Sequence, residues 1–470
     1  MINSDDVLIA LRLWHGGDAT HWPMANLRLG LALAQTEDAY GTLAETGKAA
    51  KNRAVLSFGL DQLRKVSPEA EELLRERFEH RRDVLTVANR LNISESTLYY
   101  RQRQAISHLT DILNQQEILA SSDWRNKMES RLSIPSYEAL VGIEEAEGLL
   151  KDALFFEDEQ FIISIDGIGG LGKTALADYL ARQMLTTTRF DEIAWVTAKH
   201  THLSMLGRLQ IESGRPALTL PLLIERLCTQ FGLNNNPNLT HLQRQRLLYR
   251  FIKERRCLII IDNLETVADY QTLIPELKKW QNPSKFLLTS RIRLLSEPGI
   301  FSYSHKELNQ KSALQLVRQE AKRGGFNDLT HAPDEEILKI YDIVGGNPLA
   351  LKLIIGQLRF YSLANVLNRF AANQPTETNE GIFEYIFREI WESLDDQSKT
   401  VLVSLTQAGE SGFTLDHLVA VSELSETAVY NSLSGLVVSS LVDITGTILE
   451  RRYRLHRLTE IFLLRMIEGE

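Results

Sequence analysis

Cysteine is nearly absent: only Cys228 and Cys257 occur in 470 residues, each within an apolar segment. Two such residues exclude a disulfide framework and a cysteine-rich metal site, and they read as small core residues of a reducing compartment, with the cytoplasm as the expected location. Long apolar runs are lacking as well. No stretch approaches the roughly 18 apolar residues of a membrane-spanning helix, and the opening Met-Ile-Asn-Ser-Asp-Asp has no basic region before an apolar one, so neither a membrane span nor a secretory leader is expected. Basic excess is also missing, with 52 Lys plus Arg against 61 Asp plus Glu and a net charge of -9. That balance argues against nonspecific nucleic-acid binding by the whole molecule and leaves room only for a local basic face.

What is present is material for three or four globular domains, with 44% apolar and 24% charged residues. The strongest signal is at 161–174. An apolar run, Phe-Ile-Ile-Ser-Ile-Asp, leads into Gly167-Ile-Gly169-Gly170-Leu-Gly172-Lys173-Thr174, and a helical pattern follows. This is the Walker A pattern in a strand-loop-helix context, where glycines let backbone N–H groups face phosphate oxygens at a helix N-terminus. Lys173 is expected to reach the β- and γ-phosphates, and Thr174 to place its hydroxyl on Mg²⁺. Cys257-Leu-Ile-Ile-Ile-Asp262-Asn263 reads as a buried strand ending in the Walker B carboxylate, which makes Asp262 the second Mg²⁺ residue. Glu265 either polarises an attacking water or caps the following helix. Lys285-Phe-Leu-Leu-Thr-Ser-Arg291 reads as another buried strand, and its arginine is a candidate γ-phosphate contact. Val141 and Gly142, upstream of the loop, resemble the pair that lines the adenine pocket in many P-loop ATPases, and no convincing guanine-reading Asn-Lys-x-Asp motif occurs.

The N-terminal region, 1–125, reads as all-α. His15 and His21 flank Trp14 and Trp22, a grouping that fits packing better than a site. Within 73–113 the pattern is helix (73–78), helix (84–91), turn, then a third helix from Glu95 to about Leu113 capped by Ser94. It resembles the helix-turn-helix of bacterial regulators. On that reading Ser96, Thr97, Tyr100 and Arg101 face bases, while Arg81, Arg82, Arg90 and Arg103 meet phosphates. Glu71, Glu72, Glu76, Glu79 and Glu95 dilute the basic face, so a module for protein contacts stands beside the DNA reading. Polar residues at 114–136 read as a linker, its core at 126–136.

Beyond 306 helices take over, including Gly345-Gly-Asn-Pro348-Leu-Ala, a glycine loop with proline in the first helical turn. A second polar linker falls at 371–381, and 382–470 reads as helices followed by a two-stranded wing at 441–444 and 452–456. The expected fold class is therefore multidomain α/β: a parallel-sheet P-loop NTPase domain (137–304), then a helical domain (305–370) and a winged helix (382–470), preceded by the all-α domain.

Taken in order, the phosphate loop, Phe-Asp-Glu-Ile-Ala-Trp-Val at 190–196, Leu-Ile-Ile-Ile-Asp-Asn at 258–263, Thr-Ser-Arg at 289–291, Gly-Gly-Asn-Pro-Leu-Ala at 345–350 and Arg-Leu-His at 454–456 make one set. With it, residues 137–470 resemble the NB-ARC branch of the STAND signal-transduction ATPases. The resemblance implies ATP/ADP with Mg²⁺ as ligands, Pro348 and His456 touching the nucleotide from the later domains, and a slow ATPase that serves as a switch and self-assembles when ATP is bound. Two departures bear on this: Arg457 stands where the family commonly has aspartate after its histidine, and Asn263 replaces a frequent second acidic residue, so fast hydrolysis is not expected. No repeat of about 30–45 residues occurs, so the sensing function is expected in the first 130 residues, on the other domains, or on a separate protein. The leading expectation is a bacterial DNA-binding regulator; the alternative is a defence protein whose N-terminal domain recruits a protein effector. A metabolic ATPase or kinase is disfavoured for want of a second catalytic constellation.

Overall fold

The computed structural model describes residues 1–17, 22–38, 47–132, 135, 137–156, 159–167, 170–198, 202–203, 209–210, 218–233, 239–264, 267–290, 298–358, 362–366, 391, 394–408, 411–438, 441–447, 449–455 and 463. The chain divides into two compact units. One is Met1–Arg131 with Arg182–Ile193 and Glu254–Cys257; the other is Leu132–Ala181 with Ala194–Lys253 and Leu258–Glu470.

The first unit is built on helices α1 (Ser4–Arg12), α2 (Arg28–Asp38), α3 (Lys48–Val66), α4 (Pro68–Leu74), which runs on as a π-helical turn at Arg75–Glu79, α5 (Val84–Arg90) and α6 (Glu95–Glu129). Their starts are fixed locally: Asn3 and Asp6 close a capping box on α1, Asp83 accepts from Thr86 N on α5, and Ser94 accepts from Thr97 N on α6. Leucines of α3 and α6, among them Leu56, Leu60, Leu109 and Leu113, fill one core. Gly59 permits the close crossing, since a Cβ there would lie 2.7 Å from Leu113.

Helix α6 corrects one expectation. The stretch from 114 to 129 is helix, not linker, because its polar residues bond to other helix ends instead of to solvent. The Asn114 amide exchanges bonds with Ile2 N (3.0 Å) and Ile2 O (2.9 Å), and the Glu117 carboxylate caps α2 by accepting from Arg28 N and Leu29 N, both at 2.9 Å. Farther along, Trp124 Nε1 donates to Asp191 O at 2.7 Å, and Arg131 pairs with Glu192 at 2.6 Å. The buried Arg28 guanidinium lies 3.6 Å over the Trp124 ring and donates to Phe190 O (2.7 Å) and Thr187 O (2.8 Å).

In the second unit α7 (Glu144–Phe155) precedes β1 (Ile162–Asp166), and α8 (Lys173–Met184) follows the phosphate loop. The sheet is completed by β2 (Glu192–Thr197), β5 (Cys257–Leu264), β6 (Lys285–Ser290) and β7 (Ile300–Ser304); a two-residue hairpin, β3 (His202–Leu203) and β4 (Leu209–Gln210), stands apart from it. The order β2-β5-β6-β1-β7 is that of a parallel five-stranded sheet, with β1 registered between β6 and β7. Strands β1, β2 and β6 are buried at every position, as continuous apolar runs in a parallel sheet require. Helices α9 (Leu220–Gln230), α10 (His241–Glu254) and α11 (Val267–Trp280) connect the strands. Both cysteines are buried thiols outside any disulfide, in keeping with a packing role.

Helices α12 (Gln310–Arg323), α13 (Asn327–His331), α14 (Asp334–Val344) and α15 (Pro348–Gln357) form a bundle whose apolar core continues into later helices at 396–405, 415–422 and 426–438 and an antiparallel hairpin, β8 (Val442–Gly446) with β9 (Arg451–Leu455). Phe413 and Tyr453 exchange backbone bonds at 2.9 and 2.8 Å, which extends the hairpin by one bridge. The 371–381 linker lies outside the described residues.

Candidate nucleotide site

The carboxyl ends of β1, β5, β6 and β7 carry Asp166, Asp262, Thr289 with Ser290, and Ser304, so polar side chains gather at one edge of the sheet, where ligands of open α/β folds bind. The loop after β1 needs glycine for different reasons at different positions. Gly167 has φ +148° and a Cβ would lie 2.8 Å from His305 O; Gly170 has φ +81° and a Cβ would lie 2.7 Å from Asn347 Oδ1. Gly172, at φ +91°, has open space around it and is required by conformation alone. Lys173 opens α8 and its Nζ donates to Gly167 O at 2.7 Å, which holds the ammonium across the loop.

The Walker B end forms a tight hydrogen-bond set. Asp262, buried, accepts from Thr174 Oγ1 at 2.8 Å and Thr289 Oγ1 at 2.6 Å, both on Oδ1, and from Asn263 Nδ2 at 2.6 Å on Oδ2. Asn263 N donates to Thr289 Oγ1 at 2.8 Å, and Asn263 stands at φ +69°, which turns the chain out of the strand. Among the described residues no group of three or more His, Cys, Asp or Glu is placed to hold a metal. Thr174 and Asp262 nevertheless fit a hard cation that takes its other ligands from phosphates: their oxygens are adjacent, and the carboxylate is fixed by two further donors.

The bundle reaches the same loop. Asn347 caps α15 by accepting from Leu349 N (3.1 Å) and Ala350 N (3.3 Å), Pro348 takes the first helical position, and Leu349 N donates to Gly170 O at 3.3 Å. Val141 is buried in the bundle core, and Gly142, at φ +67°, sits where a Cβ would lie 2.7 Å from Ser312 Oγ at the start of α12.

His305 joins these parts. Its N donates to Asp166 O at 2.8 Å, and Leu308 N, three residues on, donates to Gly346 O at 2.9 Å. The side chain is 9% exposed, and Nδ1 has no hydrogen-bond partner among the described residues. Burial, with the Lys173 ammonium adding to it, pushes the imidazole down to about 4; a backbone bond to Leu171 opposes them.

Of the expected contacts, the structure thus brings together Gly167, Gly170, Gly172, Lys173, Thr174, Asp262 and the turn carrying Pro348. Gly169, Glu265, Arg291 and His456 lie outside the described residues. Asn347, Thr289 and His305 are additions. Each ends a strand or begins a helix beside a motif already recognised, and that position was the available signal.

In the first unit Ser96 and Tyr100 are exposed on the first turns of α6, Thr97 is half-buried there, and Arg103 is exposed. Several of the neighbouring arginines are paired internally: Arg90 with Glu76 (2.8 Å) and Glu72 (3.4 Å), Arg82 with Glu76 (2.7 Å), and Arg101 with Glu69 (3.8 Å). His15 Nε2 bonds Glu79 O at 2.8 Å, a packing role; His21 lies outside the described residues.

A parallel sheet with a glycine loop, a helix opening on Lys-Thr and a buried carboxylate on a neighbouring strand defines a P-loop nucleotide-binding fold. More particularly, residues 143–324 match the family described as NB-ARC domain. Similar proteins include the disease resistance RPP8-like protein 3 of Arabidopsis thaliana, 25% identical over 285 residues that cover 58% of this chain and 29% of the relative. The disease resistance protein RPP13 of the same plant is 27% identical over 278 residues, covering 57% of this chain and 29% of that protein. The chain thus spans 29% of the length of either relative. A solved structure of the Aeropyrum pernix ORC2 protein aligns with 73% of this chain and 98% of its own at 14% identity, with a TM-score of 0.33.

Proposed function

We propose that the chain is an ADP/ATP-dependent switch of the kind used by defence proteins, with Mg²⁺ held through Thr174 and Asp262, and that its ATP-bound form self-assembles. The supporting observation is the docking of Asn347 and Leu349 on Gly170: one loop serves the phosphates and the helical bundle, so a nucleotide that favours one loop shape biases one bundle arrangement. Hydrolysis, with Asn263 beside Asp262, is slow and ends the signal. Sizing of the chain with ADP, with a non-hydrolysable ATP analogue, and after Lys173→Ala tests this. Mass is expected to rise only for the wild type with the ATP analogue; one mass in all three states sinks nucleotide-driven assembly.

For the N-terminal helices the proposal is a protein partner. Two features favour it over DNA: the disease resistance proteins among the relatives, and the pairing of Arg82 and Arg90 with Glu76, which draws charge from the face a phosphate backbone needs. Retardation of duplex by the full chain, weakening steeply with salt, would restore the DNA-binding regulator.

A further inference from the structure

The nucleotide domain carries two exposed helix faces of opposite charge. On α7, Glu144, Leu149, Asp152 and Phe155, with the following Phe156, share one side of the helix, while Ala146, Leu150 and Leu154 are buried on the other. Leu149, Phe155 and Phe156 are 44 to 58% exposed. The only cation of this helix, Lys151, pairs with Glu147 at 2.6 Å, and Glu144 and Asp152 are in no ion pair among the described residues. On α10, Leu242, Arg246, Leu247, Tyr249 and Arg250 share one side, opposite buried Leu248 and Ile252. Its apolar members are 38 to 67% exposed, and between His241 and Lys253 the chain has Arg244, Arg246, Arg250 and Lys253 but no carboxylate. Large exposed apolar side chains rimmed by charge of one sign mark a docking surface, where a merely solvated helix would be polar.

The two faces belong to opposite ends of one sheet. β7 closes the strand order on one side, and α7 packs beside it; β2 closes it on the other. There Gln230 of α9 accepts from Trp195 N at 3.0 Å and donates to Trp195 O at 2.7 Å, which covers the edge of β2. α10 lies on α9, with the Phe231 and Phe251 rings stacked at 4.8 Å. One copy therefore cannot join its own two faces, whereas two copies can, acidic against basic.

We infer that copies of the nucleotide domain assemble head to tail, the α7 face of one against the α10 face of the next. Glu144 and Asp152 meet Arg246 and Arg250 around an apolar centre supplied by both helices. The inference rests on the self-assembly proposed above and gives it an interface. Because the two surfaces differ, the contact is heterologous and repeats into a ring or filament instead of stopping at a two-fold dimer. The acidic face also lies close to the switch: it begins at Glu144, two residues after Gly142, where a Cβ would lie 2.7 Å from Ser312 Oγ of α12, so a shift of α12 moves its start.

The test sizes the full chain by light scattering with Mg²⁺ and a non-hydrolysable ATP analogue. Its arms are the wild type, Glu144→Arg with Asp152→Arg, Arg246→Glu with Arg250→Glu, these two variants mixed, and one chain with all four changes. Glu335→Arg with Glu336→Arg, exposed on α14, controls for net charge, and binding of a fluorescent ADP shows that each variant folds. Each face variant alone should assemble at least about a hundredfold more weakly, since like charges then oppose each other. The mixture and the four-change chain should both regain assembly, and the control should match wild type. If a face variant binds no ADP, Asp152→Arg and Arg246→Glu, singly and combined, decide in its place. With an assembling wild type, the inference alone falls if either face variant assembles equally well, if neither rescue occurs, so that each face meets another surface or protein, or if the control also loses assembly. A wild type that stays one chain with the analogue overturns self-assembly and this inference with it.

Discussion

Replacing Gly170 by alanine separates conformation from contact in the phosphate loop. At φ +81° an L-residue pays about 1–2 kcal/mol for the left-handed backbone. The new Cβ would also lie 2.7 Å from Asn347 Oδ1 and 3.1 Å from Leu349 Cβ. Asn347 is buried and cannot give way freely, because its Oδ1 holds Leu349 N and Ala350 N at 3.1 and 3.3 Å. Moving it leaves helix-cap donors unsatisfied, a further cost of about 1–3 kcal/mol. Gly172→Ala is the internal control: φ is +91°, nothing lies within 4 Å, and only the backbone cost applies. Urea denaturation should therefore show Gly170→Ala more destabilising than Gly172→Ala by about 1–3 kcal/mol. Removing the obstacle as well, in Gly170→Ala with Asn347→Ala, should make the pair less damaging than the sum of the singles by about 1 kcal/mol. Equal destabilisation at 170 and 172, or strict additivity of the double variant, would refute the claim that the bundle turn presses on the loop.

Arg28→Ala should destabilise the first unit by about 3–5 kcal/mol, since it removes bonds to Phe190 O and Thr187 O and the stacking on Trp124. Hydrogen exchange along α6 is the check, and protection within about 1 kcal/mol of wild type rules this out. Acid is expected to act through His305. Burial lowers His305 from 6.5 to about 4, so between those values the unfolded chain binds the proton and the folded chain does not. The stability tied to the neutral ring is complete above pH 6.5 and is lost as pH falls toward 4, roughly 3 kcal/mol over that window. Urea midpoints at pH 7 and pH 4.5 should fall farther apart for wild type than for His305→Gln; identical slopes would show that the ring is not buried as described.

Much of the nucleotide domain was legible because its signals are local. Gly-Lys-Thr after an apolar run, and an aspartate after Cys257-Leu-Ile-Ile-Ile, announce strand ends by sequence alone, and the structure puts Thr174 and Asp262 in contact at 2.8 Å. The Ser94 cap of α6 was readable for the same reason, with its acceptor three residues from its donor. Illegible features depend on distant partners. The polar run from 114 looked like linker because nothing nearby says that Asn114 will bond Ile2, or that Glu117 will cap α2 at Arg28. Arg90 looked available for phosphates because its pairing with Glu76 bridges two helices. Strand β7 was missed because Ile300-Phe-Ser-Tyr-Ser is half polar, yet two of its serines bond Asp166: Ser304 at 2.7 Å and Ser302 at closer range.

The glycines after β1 are usually explained by the phosphate they approach, and the contacts here assign two of them partly to the protein. Side chains at 167 and 170 would strike His305 O and Asn347, whereas one at 172 would strike nothing. The first half of the loop is thus shaped by the connector and the bundle turn, and the second half by α8, whose first residue is Lys173. Lys173 Nζ spans the two halves by donating to Gly167 O, a bond for which a phosphate would compete. The first half is also held from behind, where His305 N donates to Asp166 O at 2.8 Å. On the proposed reading, the contacts from Gly167 past His305 and Leu308 to Gly346 and Asn347 offer a nucleotide at the loop a route to the bundle along backbone bonds of ordinary length.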